Sequence, residues 1–166
     1  MMLRAIAVAE QLALALWIGS LAGFAFVFAP AAFARLSAEL DAFASIVGGS
    51  LAGLTLLGYA CGTIALASSL VSVAVTHSAA AVARAACIVV MLALIAYSQR
   101  AVVPSMIATQ ASFGAPFNTI DKSDPRRIRY DALHAESSRL FGAVLLLGLI
   151  GIGLRTQEFP RRLLPR

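Results

Sequence analysis

Charge is what this chain has least of. Only 13% of its 166 residues are Asp, Glu, Lys or Arg, against about 25% in a soluble domain. Hydrophobic residues make up 60% and mean hydropathy is +0.88, more apolar surface than a water-soluble core of this size can use. The fitting solvent is lipid. The two cysteines, Cys61 and Cys87, each lie in an apolar run and form no CxxC pair. That leaves no disulfide framework or thiolate metal site and reads as small buried hydrophobes. A Gly-rich phosphate loop, a GxSxG elbow, an HExxH motif and a paired-carboxylate motif are all absent from the sequence, which argues against a hydrolase or a nucleotide-driven pump. We therefore expect no enzyme and no cofactor. The formal charge of +5 comes from arginines between and after the apolar runs. It suits phospholipid headgroups, whereas a nucleic-acid partner calls for a continuous basic face.

What is present is four long apolar runs. They predict an all-α integral membrane four-helix bundle, one domain over residues 1–166, with spans at about 6–33, 43–75, 79–99 and 124–154. A membrane-crossing helix needs ~20 residues, so the first two runs should tilt or project beyond the hydrocarbon. The first run is too long for a signal-peptide core of ~7–15 residues and is expected to stay as a helix. The last uncharged run, Leu140 to Leu154, is too short alone. Ser123 as N-cap with Pro125 at the first helical position predicts that its helix starts near Asp124 and is amphipathic at first. Pro30 should kink or end the first helix, and Pro104 should end the third. That leaves a long turn-rich loop from Arg100 to Asp124, in which "VVPSMIATQ" reads as a short interfacial helix. No clear internal repeat is visible. The tail "RTQEFPRRLLPR" reads as a basic surface segment.

Glycines spaced four apart recur as Gly19 and Gly23, Gly49 and Gly53, and Gly58 and Gly62. Such faces let helices approach closely in lipid. They predict packing within a bundle, a homo-oligomer or a larger membrane complex. The positive-inside count is close to a tie. The lean is toward a bacterial inner membrane with cytoplasmic termini.

Chemistry-bearing residues are few. Arg127, Tyr130, His134, Ser137 and Ser138 fall at three- and four-residue spacing on the last helix and share a polar face. Histidine there can bind a metal or relay a proton, or can hydrogen-bond as a structural residue. One histidine is not a metal site, and His77, on the loop between spans two and three, belongs to the opposite membrane face. Glu10 and Gln11 enter the first helix near its start. An intramembrane carboxylate is a functional candidate, although Glu10 could snorkel to the surface, as Arg84 could in the third run. Trp17, near mid-helix, reads as packing.

Trp17-Ile18-Gly19, Pro30, Phe33, Pro104, Met106 and the stretch Leu133-His134 with Ser137 and Leu140 resemble the four-helix membrane family called domain of unknown function 4149, the transmembrane protein 205-like proteins. The resemblance spans about Leu12 to Leu154. It implies a four-helix bundle and, more loosely, handling of a metal ion or small solute. A weaker likeness is to copper resistance protein D, which relies on intramembrane histidines. The first three spans of this chain have none. Two functional expectations follow: a non-enzymatic membrane protein that assists metal or solute handling, or an accessory subunit of a larger membrane complex.

Overall fold

A computed structural model describes residues 2–156. Met1 and residues 157–166, where most of the expected basic tail falls, lie outside the described residues. Four helices are long and apolar enough to cross a membrane, and the chain is a multi-pass integral membrane bundle. Helix α1 covers residues 2–36, α2 Leu40–Thr76, α3 Ala79–Ala111 and α4 Pro125–Thr156. They run up, down, up, down, and each packs on its two neighbours in a ring. At ~1.5 Å per residue helices of this length exceed the ~30 Å hydrocarbon layer, so all four project or tilt.

Local chemistry sets the ends. His77 takes a left-handed conformation (φ 47°), and its N–H closes α2 on the Val73 carbonyl at 2.9 Å. Gly114 is the other positive-φ residue (φ 65°), in the loop before α4. The N-cap of α4 is Asp124 rather than the predicted Ser123. Its carboxylate accepts the Arg126 N–H at 2.8 Å, with Pro125 between them at the first helical position, where a missing N–H costs nothing. Arg126 binds the same carboxylate and pulls the acid down to about 2.

The two inner prolines do not end their helices. Each follows a five-residue π-helical turn, Phe24–Phe28 before Pro30 and Ser98–Val102 before Pro104. Proline lacks an N–H and crowds the carbonyl four residues back. The wider turn moves the preceding bond to i−5, Ala29 N–H to Phe24 O and Val103 N–H to Ser98 O, so the helix passes the proline with a local bulge. The third span therefore continues to Ala111, "VVPSMIATQ" is its last part, and the loop shrinks to residues 112–124.

The core is Leu14, Trp17 and Ile18 of α1, Cys61 and Ala65 of α2, Ile88 and Met91 of α3, and Val144 of α4. Large side chains enter where α2 and α4 offer glycine. A Cβ on Gly58 or Gly62 would meet Trp17, and one on Gly148 would meet Ile18 and Met91. Leu12, Leu56, Val82 and Leu146 are exposed on the outside, as suits a lipid-facing surface.

Those contacts also reveal an internal repeat that the sequence hides. The two π turns begin 74 residues apart, as do Pro30 and Pro104. Gly62 and Gly148 meet reciprocal partners: Gly62 sits against Trp17 and Leu92, Gly148 against Met91 and Ile18, each pair again 74 apart. The chain thus divides into two helix pairs, α1–α2 and α3–α4, whose first helices correspond at an offset of 74 residues and whose second helices meet reciprocal partners, a pseudo-two-fold pattern. Identity at matched positions is too low to show in the sequence, because packing in lipid constrains size more than residue type.

Candidate functional site

The structure separates the predicted polar face of α4 rather than gathering it. His134 is exposed, and its carbonyl accepts the Ser138 hydroxyl at 2.9 Å, a bond within the helix. Arg127 and Tyr130 clamp the preceding loop. The Arg127 guanidinium lies 3.8 Å from the Phe117 ring centre, pairs with Asp131 at 3.2 Å and donates to the Phe117 carbonyl. Tyr130 packs edge-on against the same ring. Ser137 alone turns inward. Among the described residues no three of His, Cys, Asp and Glu converge as metal ligands.

Glu10 does not snorkel, and neither does Arg84. Both are buried completely. The Arg84 Nε–H donates to Glu10 Oε1 at 2.9 Å, and Arg155 of α4 stands 3.6 Å from Oε2. Carboxylate and guanidinium neutralise each other across the axis, which removes the need to reach water. Gln11 beside them is half-buried. Of the predicted packing glycines, Gly58 and Gly62 seat Trp17, while Gly19, Gly23, Gly49 and Gly53 face open space.

A partly enclosed cleft of about 80 Å³ lies between the helices, toward the end that carries the 112–124 loop, with side chains from all four helices. That is room for roughly five to eight waters at ~10–15 Å³ each. Its wall is mostly leucine, isoleucine and valine with Phe141. Its polar groups are Trp17 of α1, Thr55 of α2, Ser98 and Gln99 of α3 and Ser137 of α4. The Gln99 amide donates to Thr55 Oγ1 at 3.1 Å, and the Thr55 hydroxyl donates to the Leu51 carbonyl. The π turn places Ser98 and Gln99 here. It adds a residue before Pro104 and turns both toward the axis, a common use of π bulges.

Trp17 is 1% exposed, and its indole N–H has no acceptor. Buried indoles normally find one. The ring lies along α2 with Nε1 nearest Gly58 and Cζ3 nearest Gly62. Nε1 is thus at the end of the ring nearer the Thr55 turn, and the ring forms part of the cleft wall. Thr55, Ser98 and Gln99 do not stand out in the sequence as site residues; Gln99 falls at the expected end of the third span, 79–99. The available signal was a polar Ser-Gln pair just ahead of a proline.

No curated protein and no solved structure matches the chain. Residues 12–113 match the family model described as domain of unknown function (DUF4149). That stretch holds most of three of the four helices, both π turns, Trp17 and the Arg84 end of the buried pair; Glu10 and the "LHAESSRL" segment of α4 fall beyond it. The chain belongs to this family of membrane proteins.

Proposed function

We propose that the protein is a non-enzymatic membrane protein that binds a small solute in its central cleft and so assists the solute's handling or passage. The observation that carries this reading is the cleft itself, with a buried tryptophan N–H beside it that no protein group satisfies. None of the lining side chains is a His, Asp, Glu, Lys or Cys, the groups that most often serve as general acids and bases, which favours binding over catalysis. The solute arm has more support than the metal arm, because the described acidic and histidine residues do not converge. We keep the termini cytoplasmic in a bacterial inner membrane, which reporter fusions at either end would test.

The test is extraction from the native membrane in polymer-bounded lipid discs, followed by mass spectrometry of the non-protein content. The parent should carry a molecule in constant ratio. Thr55→Phe, which fills the cleft, should lose it while eluting at the same size with the same helix content. Identical content in both would refute the reading. A second reading, an accessory subunit in a larger assembly, draws on the open Gly19, Gly23, Gly49 and Gly53 positions, where another helix could approach. The same extraction would show it as a stoichiometric protein partner.

A further inference from the structure

We infer that the occupant of the cleft is an uncharged, lipid-soluble carbonyl compound, held through acceptor oxygens by Trp17 and Gln99; this rests on the solute-binding reading above. Charge decides first. No charged side chain lines the cleft. An ion in this apolar wall would lose its hydration with no partner, a penalty that buried charges escape only by pairing.

Hydrogen-bond inventory decides next. The indole N–H of Trp17 is a donor only and has no acceptor. The Thr55 hydroxyl is already spent, giving its proton to Leu51 and accepting from Gln99. Gln99 uses one amide N–H on Thr55, and its second N–H remains to donate. The arrangement offers donors at two levels and calls for acceptors.

Spacing narrows the class. Trp17 Nε1 lies 2.9 Å from where a Cβ on Gly58 would stand, and Ile95 Cδ1 lies 3.2 Å from the same point. The Gln99–Thr55 bond is about one turn away along both antiparallel helices, three residues back from Gly58 in α2 and four on from Ile95 in α3. One turn is about 5.4 Å. Two carbonyls on opposite sides of a six-membered ring match that separation, with the apolar wall on either side of the ring.

The chain has one tryptophan, so its indole gives a single ¹⁵N–¹H resonance. We would record it in lipid discs during titration with three probes: a short-chain 1,4-quinone, a hydrocarbon of matched size and tetraphenylphosphonium. The quinone should move the indole proton downfield and saturate. Gln99→Leu should weaken it about fivefold, the loss of one net hydrogen bond; His134→Ala, at an exposed position outside the cleft, should leave it unchanged and serves as the fold control. Should Gln99→Leu fail to fold, Gln99→Met is the second variant, similar in length and without a donor, with the same roughly fivefold loss expected. Hydrocarbon binding as tight as the quinone, indifferent to Gln99→Leu, would overturn the carbonyl class and leave a plain apolar cleft. Tighter binding of the cation would overturn the uncharged class. Silence with all three probes overturns the inference alone if Thr55→Phe still strips a native molecule; if it strips none, the solute-binding reading fails with it.

Discussion

Glu10→Gln should be among the most damaging single changes at a polar position. The pair it breaks is 2.9 Å long, with side chains 0% and 1% exposed. Two unit charges about 4 Å apart interact by roughly 4 kcal/mol at an effective dielectric near 20. Removing one partner of a buried pair typically costs about 3–5 kcal/mol, because the other charge stays buried. Arg155, 3.6 Å from the same carboxylate, loses that ion pair too. The folded population should fall roughly a hundredfold to several thousandfold relative to the unfolded. Arg84→Met should cost a similar amount. The double variant Glu10→Leu with Arg84→Met should recover much of the loss, since apolar replacement of a whole buried pair is often neutral or better. Reversible unfolding by steric trapping in bicelles gives the four free energies of the cycle. A cost below about 1 kcal/mol for Glu10→Gln, or a double variant as poor as either single one, would refute the view that this pair clips α1 to α3.

Other expectations follow from the same contacts. Gly62→Leu drives a side chain into Leu92 and the Trp17 ring and should lower stability by about 1–3 kcal/mol through overpacking, while Gly53→Leu, with open space around it, should not; thermal unfolding in mild detergent separates them. Gly58→Ala should displace the indole, read as a shift in the emission of the single tryptophan. Asp124 is held at about 2 by its bonds to Arg126, below the ordinary ~3.9. A depressed acid stabilises above its unfolded pKa and loses that as pH falls through the folded one. The first turn of α4 should therefore hold at pH 5 and fray between about pH 4 and 2, seen as faster amide exchange at Arg126 and Ile128, and Asp124→Ala should abolish that pH dependence. Pro104→Ala should remove the need for the π turn at Ser98–Val102 and break the Gln99–Thr55 bond, detectable as altered quinone affinity with little change in helix content.

The four spans were legible because an apolar run of that length has few other uses, and the tight His77 turn because two residues cannot hold a domain. The continuation of α3 was not. Gln99-Arg100 and Pro104 are each good stop signals alone, and only the π turn, a matter of backbone register, lets the helix pass them. Glu10 and Arg84 each looked able to reach water on its own. Their pairing needed a third dimension, although one clue was on the page: opposite charges at similar depth in two parallel spans. The α4 polar face was legible as a face and misleading as a site, since Arg127 and Tyr130 serve the loop and His134 faces outward. The cleft was illegible because its polar residues come one or two at a time from four helices, and no spacing rule links them.

The pseudo-repeat explains why those residues can differ so much. Where matched positions only pack, they stay alike in kind: Leu14 with Ile88, Trp17 with Met91 and Leu21 with Ile95 are all large and apolar. Glu10 and Arg84 are matched as well, 74 apart, and carry opposite charges. Two identical halves would set carboxylate against carboxylate or guanidinium against guanidinium across the axis, at a cost no bundle in lipid could carry. The halves must therefore differ there for the bundle to close. They differ again at the cleft, where Ser98 and Gln99 match Phe24 and Ala25 in α1. Packing alone does not demand that second break, because an apolar pair would seal the axis there as it does at Leu14 and Ile88. Ser98 and Gln99, with no polar counterpart at Phe24 and Ala25, cost stability in an apolar core and make the hydrogen-bonding surface of the cleft unequal between the two halves, the form suited to holding one asymmetric molecule in a single orientation.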